Sequence, residues 1–337
     1  FTAPRVTESF MRHDIRLLSR YVDVLTLDLS ECQGVGRSAY YTRFWGLVRN
    51  TGARVVLCYF VLAKYTPLLV TLARLTGCKV IVFTGGIDTA YVPDIHWGDM
   101  RNPLHRYLFA YVMRLSDSVL PFSNSSRGEV LRYGKPKRIR TAHMAIDTGL
   151  FRPAEKPKAP RALTAAYFIS KTTLLQKGIS SFIKAAALVP DIEFVVHGQV
   201  DADLLRDVRK WAPSNVRFTL GHYERQQYAE LLQSAAVYVQ ASAYEGFGVA
   251  LAEAMACGCV PVATDRYSLP EVVGDTGYLV PFNDVEALAG AVREAVAHPE
   301  QGEEARRRVV ELFAEDRRER LLREELELAL GKDLTRR

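Results

Sequence analysis

The sequence predicts an α/β fold of two doubly wound parallel-sheet domains facing a cleft, and three observations lead there. Strand and helix patterns alternate along the chain, and the alternation runs through twice. A stretch with three prolines and little that is apolar, Phe151-Arg-Pro-Ala-Glu-Lys-Pro-Lys-Ala-Pro160, separates the two runs as a linker would. The 337 residues, 48% of them apolar, exceed what one ordinary core needs and suffice for two.

In the first domain, residues 1–152, strands are expected near 22–28, 54–60, 79–84, 118–122 and 138–142. Helices near 7–20, 38–50, 66–76, 102–115 and 124–133 separate them. The most apolar run, Val55 to Leu72, is broken by Lys64 and Pro67, so it reads as a strand followed by a helix rather than a membrane span. The chain opens at Phe1 without a signal peptide, and most of a first strand is expected to be missing ahead of it.

In the second domain, residues 153–300, strands are expected near 163–169, 192–197, 215–219, 236–240, 260–264 and 277–280. Helices fall near 179–189, 201–211, 224–234, 247–257 and 284–297. Residues 301–337 form a tail whose Arg- and Glu-rich segment, Glu303 to Leu330, reads as a surface helix without chemistry.

Five scattered cysteines, Cys32, Cys58, Cys78, Cys257 and Cys259, show no zinc-like spacing. They point to reduced thiols in the cytoplasm and to no structural metal. The net charge of +6 hides an asymmetry: residues 1–153 hold 21 Lys and Arg against 11 Asp and Glu, while the remainder holds 23 against 27. A basic half suits an anionic membrane surface, where each Lys or Arg contributes roughly 1 kcal/mol. It suits a polyanionic glycan equally. The densest cluster, Lys135, Lys137, Arg138 and Arg140, also reads as a solvated loop before a strand. No nucleic-acid partner is expected.

The chemistry concentrates in Ser242-Ala-Tyr-Glu245-Gly-Phe-Gly-Val-Ala-Leu-Ala-Glu253-Ala-Met-Ala-Cys-Gly258, which follows an apolar strand and runs into a helix. Gly246 and Gly248 allow a ligand close to the backbone, and the N–H groups at a helix start suit phosphate. Glu245 falls in the loop and Glu253 two turns into the helix, so the pair can meet different ends of one elongated ligand. Taken singly, each has a plainer reading, since glycines make turns and helices carry surface glutamates.

This stretch, with Glu253-Ala-Met-Ala-Cys-Gly-Cys-Val-Pro-Val262, resembles the E-x7-E motif of family 4 glycosyltransferases of the GT-B fold. The resemblance extends to Asn215 to Gly221, Leu269-Pro-Glu-Val-Val273 and Thr276-Gly-Tyr-Leu-Val280, in the family's order. It implies two Rossmann-like domains and transfer of a sugar from a nucleoside-diphosphate donor to an acceptor hydroxyl with retained configuration. It further implies that Glu253 binds the ribose hydroxyls and that Glu245 holds the sugar, with Gly246, Phe247, Gly248 and Val249 along sugar and phosphates. The family clamps the diphosphate with an Arg and a Lys; here Lys171 and Lys177 stand in those places, before Gly178. Lysine keeps the charge and loses the planar fork. Two cations answer the charge of the leaving group, so no divalent metal or other cofactor is expected.

His197-Gly198 ends a strand where the family brings a loop to the nucleotide, although a strand-end His is commonly structural. On the acceptor side, Gly86 and Asp88 precede an aromatic loop from Tyr91 to Trp97; Asp88 either positions an acceptor hydroxyl or caps the turn. Ser123-Asn-Ser-Ser126 is explained as a helix N-cap. The aromatic residues Tyr91, Trp97 and Tyr107 with the basic skew favour a lipid-linked or membrane-surface glycan as acceptor, and a place at the inner face of a membrane. Three rivals stand beside this reading. Gly34-Val-Gly-Arg-Ser-Ala39 matches a dinucleotide fingerprint, but the next strand lacks the acidic residue that holds a ribose. A non-catalytic glycan- or lipid-carrier-binding protein of the same fold is the second. A nucleotide-sugar epimerase is the third, and the E-x7-E stretch disfavours it.

Overall fold

The computed structural model describes residues 2–3, 9–29, 36–168 and 170–336. They divide into two compact units, one comprising Phe1–Tyr91, His96–Ala145 and Asp316–Arg337, the other Val92–Ile95 and Ile146–Glu315.

The first unit holds strands β1 (Thr2–Ala3), β2 (Leu27–Asp28), β3 (Val55–Tyr59), β4 (Lys79–Thr84) and β5 (Ser118–Pro121). Its helices are α1 (Ser9–Leu18), α2 (Gly36–Thr51), α3 (Thr66–Leu75), α4 (Pro103–Leu115) and α5 (Asn124–Tyr133). The strands form one parallel sheet in the order β2-β1-β3-β4-β5. Val56, Cys58, Val80 and Val82 pack against Leu69, Val70, Phe109 and Val112 in its core. Burial on both faces explains why β3, β4 and β5 read as unbroken apolar runs. Asn102 starts α4 by accepting from Leu104 N at 2.9 Å, and Ser123 starts α5 by accepting from Ser126 N at 3.0 Å.

One expectation needs correction here. The strand expected over 138–142 is only a single bridge from Ile139 to Val119, flanked by Arg138 and Arg140. Their side chains turn to Glu325 and Glu324, at 3.1 and 2.7 Å. Of the dinucleotide-type stretch, Gly34 and Val35 lie outside the described residues, as does Cys32; α2 starts at Gly36. The other four cysteines are free and buried.

The second unit holds β6 (Ala159–Ala165), β7 (Glu193–Gly198), β8 (Val216–Leu220), β9 (Ala235–Gln240), β10 (Val260–Thr264) and β11 (Tyr278–Val280). Its helices are α6 (Lys171–Gln176), α7 (Ile179–Ala186), α8 (Ala202–Arg209), α9 (Arg225–Ser234), α10 (Val249–Ala256), α11 (Leu269–Val273), α12 (Val285–Ala297) and α13 (Gln301–Phe313). The sheet is parallel throughout, in the order β11-β10-β9-β6-β7-β8. Phe182, Ile183, Phe194, Val237, Val260 and Val292 lie in its core.

This unit begins at Ile146, ahead of the expected boundary, because Ile146 N donates to Phe313 O at 2.8 Å and Arg306 holds Phe151 O at 3.2 Å. The tail departs further from expectation. It breaks at Ala314 (ψ 157°), and a last helix, α14 (Glu315–Leu330), returns to the first unit. There Arg318 donates from Nε and Nη2 to Asp14 at 2.6 and 2.5 Å, and from Nη1 to Ala142 O and His143 O. Both partners are buried, and Tyr59 also bonds Asp14. Glu325 accepts from Ser118 Oγ at 2.7 Å, and Glu319 from Tyr21 and Arg336. Arg318, Glu319 and Glu325 therefore form a buried, paired face of α14, while Arg307, Glu311, Arg317 and Arg320 of the same Arg- and Glu-rich segment are exposed.

Candidate active site

From β6 the chain proceeds to β7 and β8 on one side of the second sheet, whereas β9 leads to β10 and β11 on the other. The order reverses between the neighbours β6 and β9, and ligands of such sheets lie outside the carboxyl ends of the strands at that point. Two segments emerge there, 170–178, which holds α6, and the loop 241–248. They are stitched together by Ala243 N donating to Gln176 O at 2.7 Å. Gly178 has φ +63°, and a Cβ on it would stand 1.8 Å from Ala241 O. Only glycine allows that approach.

The stitching brings Lys177 to Glu245, Nζ to Oε1 at 2.7 Å, both side chains partly buried. The same Oε1 accepts from Gln240 Nε2 at 2.9 Å and Ser242 Oγ at 2.8 Å. From β10 and its loop, Thr264 Oγ1 donates to Ser242 O at 2.6 Å, and Ser268 Oγ to Glu245 O at 2.8 Å and Phe247 O at 3.0 Å. Phe247 is buried edge-on against Phe313. Gly246 lies between these held carbonyls, and Gly248 (φ +98°) turns the chain into α10 at Val249. Among the described residues no side chain caps that helix start, which leaves its positive end for an anion.

Glu253 lies in the second turn of α10. Burial pushes its carboxyl up to about 8; the Arg225 charge opposes the rise and Asp147 adds to it. Arg225 and Asp147 are themselves 3.5 Å apart. Glu253 in turn adds to the upward shift of the buried phenols Tyr228 and Tyr238. Tyr238 Oη accepts from Ala165 N at 3.3 Å, and Tyr228 Oη is buried without a partner among the described residues.

At the end of β7, Gly198 (φ +139°) passes so close to Ala166 O that a Cβ would lie 2.0 Å from it. His197 has its ring 4.3 Å from Tyr223 and 5.8 Å from Tyr228. Its Nδ1 lies 3.0 Å from Thr219 O, and a carbonyl only accepts, so Nδ1 carries the proton. Burial lowers its pKa. Lys171 is not gathered into this group: it is exposed at the first turn of α6, where its charge is felt by Asp207.

Gly86 and Asp88 lie in the first unit, in the loop after β4. Asp88 is fully buried, accepting from Gly86 N at 2.9 Å, Val61 N at 3.0 Å and Thr84 Oγ1. These bonds favour the turn cap over a role toward an acceptor. Gly86 packs under Phe60, 3.0 Å from where a Cβ would stand.

Sequence reasoning passed over Gln240, Thr264, Ser268, Arg225 and Tyr228. Gln240 alone left a legible signal, a carboxamide closing the buried run Ala235 to Gln240. Among the described residues no cluster of three or more His, Cys, Asp or Glu is arranged to hold a metal, and no helix is long and apolar enough to cross a membrane.

Residues 151–311 match the family model described as glycosyl transferases group 1. An alpha-maltose-1-phosphate synthase of Mycolicibacterium smegmatis is 31% identical over 233 residues, 59% of this chain and 60% of that one. A phosphatidyl-myo-inositol mannosyltransferase of the same organism is 33% identical over 140 residues, 40% of this chain and 36% of the relative. The chain thus spans well under two thirds of either relative. The Anabaena protein Alr3699/HepE, solved in complex with UDP, superposes with a TM-score of 0.74 over 97% of this chain and 99% of its own, at 13% identity. That likeness establishes the two-sheet GT-B fold.

Proposed function

From the match of residues 151–311 to the group 1 glycosyl transferases, we propose that the chain moves a sugar from a nucleoside diphosphate to an acceptor hydroxyl with retained configuration. The observation that carries this reading is the Lys177–Glu245 pair at the strand-order reversal, beside the uncapped start of α10. An anion held there by Lys177 and helix N–H groups places the attached sugar over the Glu245 carboxylate. The bond from the anomeric carbon to the phosphate oxygen breaks, the acceptor oxygen bonds that carbon on the same face, and its proton passes to the leaving phosphate. Glu245 orients the sugar; a nucleophilic role needs a second carboxylate across the bond. Glu253 accepts from the ribose hydroxyls, and charge-assisted bonds of that kind are about twice as strong as neutral ones. Lys177 supplies the cationic charge, so transfer survives EDTA.

The relatives' names, a phosphate-forming synthase and a phosphatidylinositol mannosyltransferase, support a phosphorylated or lipid-linked acceptor. A bilayer-facing surface fits the second. Neither α3 nor α4 contains an acidic residue. Thr71 and Tyr111 join the two helices at 2.8 Å, and Leu75 and Tyr107 are 73% and 70% exposed beside Leu68 and Leu104. Lys64, Arg101 and Arg114 are exposed around them. Exposed apolar side chains with Lys64, Arg101 and Arg114 exposed near them suit the headgroup boundary of an anionic membrane.

Thermal-shift titration against UDP-, GDP-, ADP- and dTDP-sugars, with NAD and NADP beside them, tests the donor site. A ligand that binds only the folded state raises its melting temperature. A selective rise with one sugar nucleotide is expected; a rise with NAD or NADP alone sinks the reading.

A further inference from the structure

Glu245 is held by three donors on one oxygen, and the proposed donor has a competing use for one of them. Lys177 lies 2.7 Å from Glu245, four residues before α10 begins, so a diphosphate bound at that helix start draws its ammonium away from the carboxylate. Two neutral donors then remain, Ser242 Oγ at 2.8 Å and Gln240 Nε2 at 2.9 Å.

Gln240 is the less expected of these. It closes a strand buried along its whole length and is itself 4% exposed, a place where a carboxamide is costly unless bonded. Its orientation is dictated by its neighbour. A carboxylate only accepts, so the NH2 group must face Glu245, and the same nitrogen reaches Ser242 Oγ at 2.8 Å. Gln240 Oε1 is left buried with no partner among the described residues. A side chain kept for packing alone is better served by an apolar residue of the same length.

We infer that Gln240 is a positioning residue: it keeps the Glu245 carboxylate in place while Lys177 is engaged with the diphosphate, so that the free oxygen Oε2 meets a hydroxyl of the donor's sugar. Being neutral, it fixes the carboxylate without cancelling the charge that makes it a strong acceptor. This inference rests on the reading of Glu245 as the sugar-orienting group. It assigns Gln240 no contact with the nucleotide.

The test compares UDP, GDP and ADP with their glucose and mannose conjugates by isothermal titration on wild type and Gln240→Met, which keeps the length and removes the amide. For whichever nucleotide wild type binds, the diphosphate alone should bind the variant within about two-fold of wild type. The conjugate's affinity relative to that diphosphate should fall about ten- to a hundred-fold, the value of one hydrogen bond to a charged group. The turnover number should fall with it. Equal losses for diphosphate and conjugate, or none for either, overturn the role of Gln240 and leave the donor site standing. Failure of wild type to bind any of the nine overturns both. Gln240→Glu guards against a folding defect: it retains size but sets a second carboxylate beside Glu245. It should show the same conjugate-selective loss, restored as the pH is lowered and the pair shares a proton. If Gln240→Met does not melt cooperatively, wild-type conjugate affinity in Gln240→Glu at every pH overturns the inference.

Discussion

Lys177 Nζ and Glu245 Oε1 stand 2.7 Å apart although 68 residues of chain separate them. The pairing depends on Gly178, whose missing Cβ lets the loop after β6 lie against Ala241 at the end of β9. Cation, carboxylate and helix start are thereby assembled before any ligand arrives, which is the arrangement that electrostatic catalysis requires.

Lys177→Ala should lower sugar transfer by about a hundred- to a thousand-fold, the range for removal of one group that stabilises developing charge. Thermal melting should confirm an intact fold. Near-wild-type turnover would remove Lys177 from the diphosphate.

Glu253 gives the protein a defined pH response. Its carboxyl titrates near 8 in the folded chain because it is buried, against about 4.3 in an unfolded one. Between those values the folded state holds a proton that the unfolded state has released. The stability this contributes is therefore full below about 4.3 and is lost as the pH rises toward 8. Glu253→Gln should flatten that decline in a melting series. The ribose needs the carboxylate, so donor affinity should run the opposite way, weakening about ten-fold for each unit below 8. Glu253→Ala should weaken donor binding at every pH; unchanged affinity in that variant would end the ribose role.

Arg318→Met should destabilise the protein by about 3–5 kcal/mol, because Asp14 then remains buried without its partner. Urea unfolding read through the tryptophans measures it. A loss below about 1 kcal/mol would mean that water reaches Asp14 in the native state.

Tyr107→Glu combined with Leu75→Glu should reduce co-sedimentation with phosphatidylserine vesicles at least about ten-fold and leave donor binding untouched. Raising the salt should weaken wild-type binding in the same assay. Equal binding by wild type and the double variant would place the membrane contact elsewhere, and no vesicle binding by wild type would remove it.

Much of this was legible in the amino-acid order because apolar period and loop chemistry report local structure directly. The runs Lys79–Thr84 and Val260–Thr264 are strands where expected, and Glu245, Gly248 and Glu253 fall on loop, helix start and second turn. What escaped depends on partners distant in sequence. Arg318 and Glu325 look solvated until Asp14 and Ser118 are beside them. Arg138 and Arg140 promise a strand until α14 draws their side chains away. Asp88 left two readings open because nothing local tells that Val61 N points at it. Ser268 carries no signal at all, since its value lies in reaching two carbonyls on another loop.

The return of α14 also constrains how the chain is made. Asp14 leaves the ribosome 304 residues ahead of Arg318, with the whole second unit translated between them. The first unit must wait, with a core carboxylate lacking its Arg318 partner, while the following unit has all its strands in hand and can fold first. Order of synthesis and order of completion are therefore reversed in this protein: a chain cut after Glu315 keeps every element of the second unit and leaves the first without Arg318.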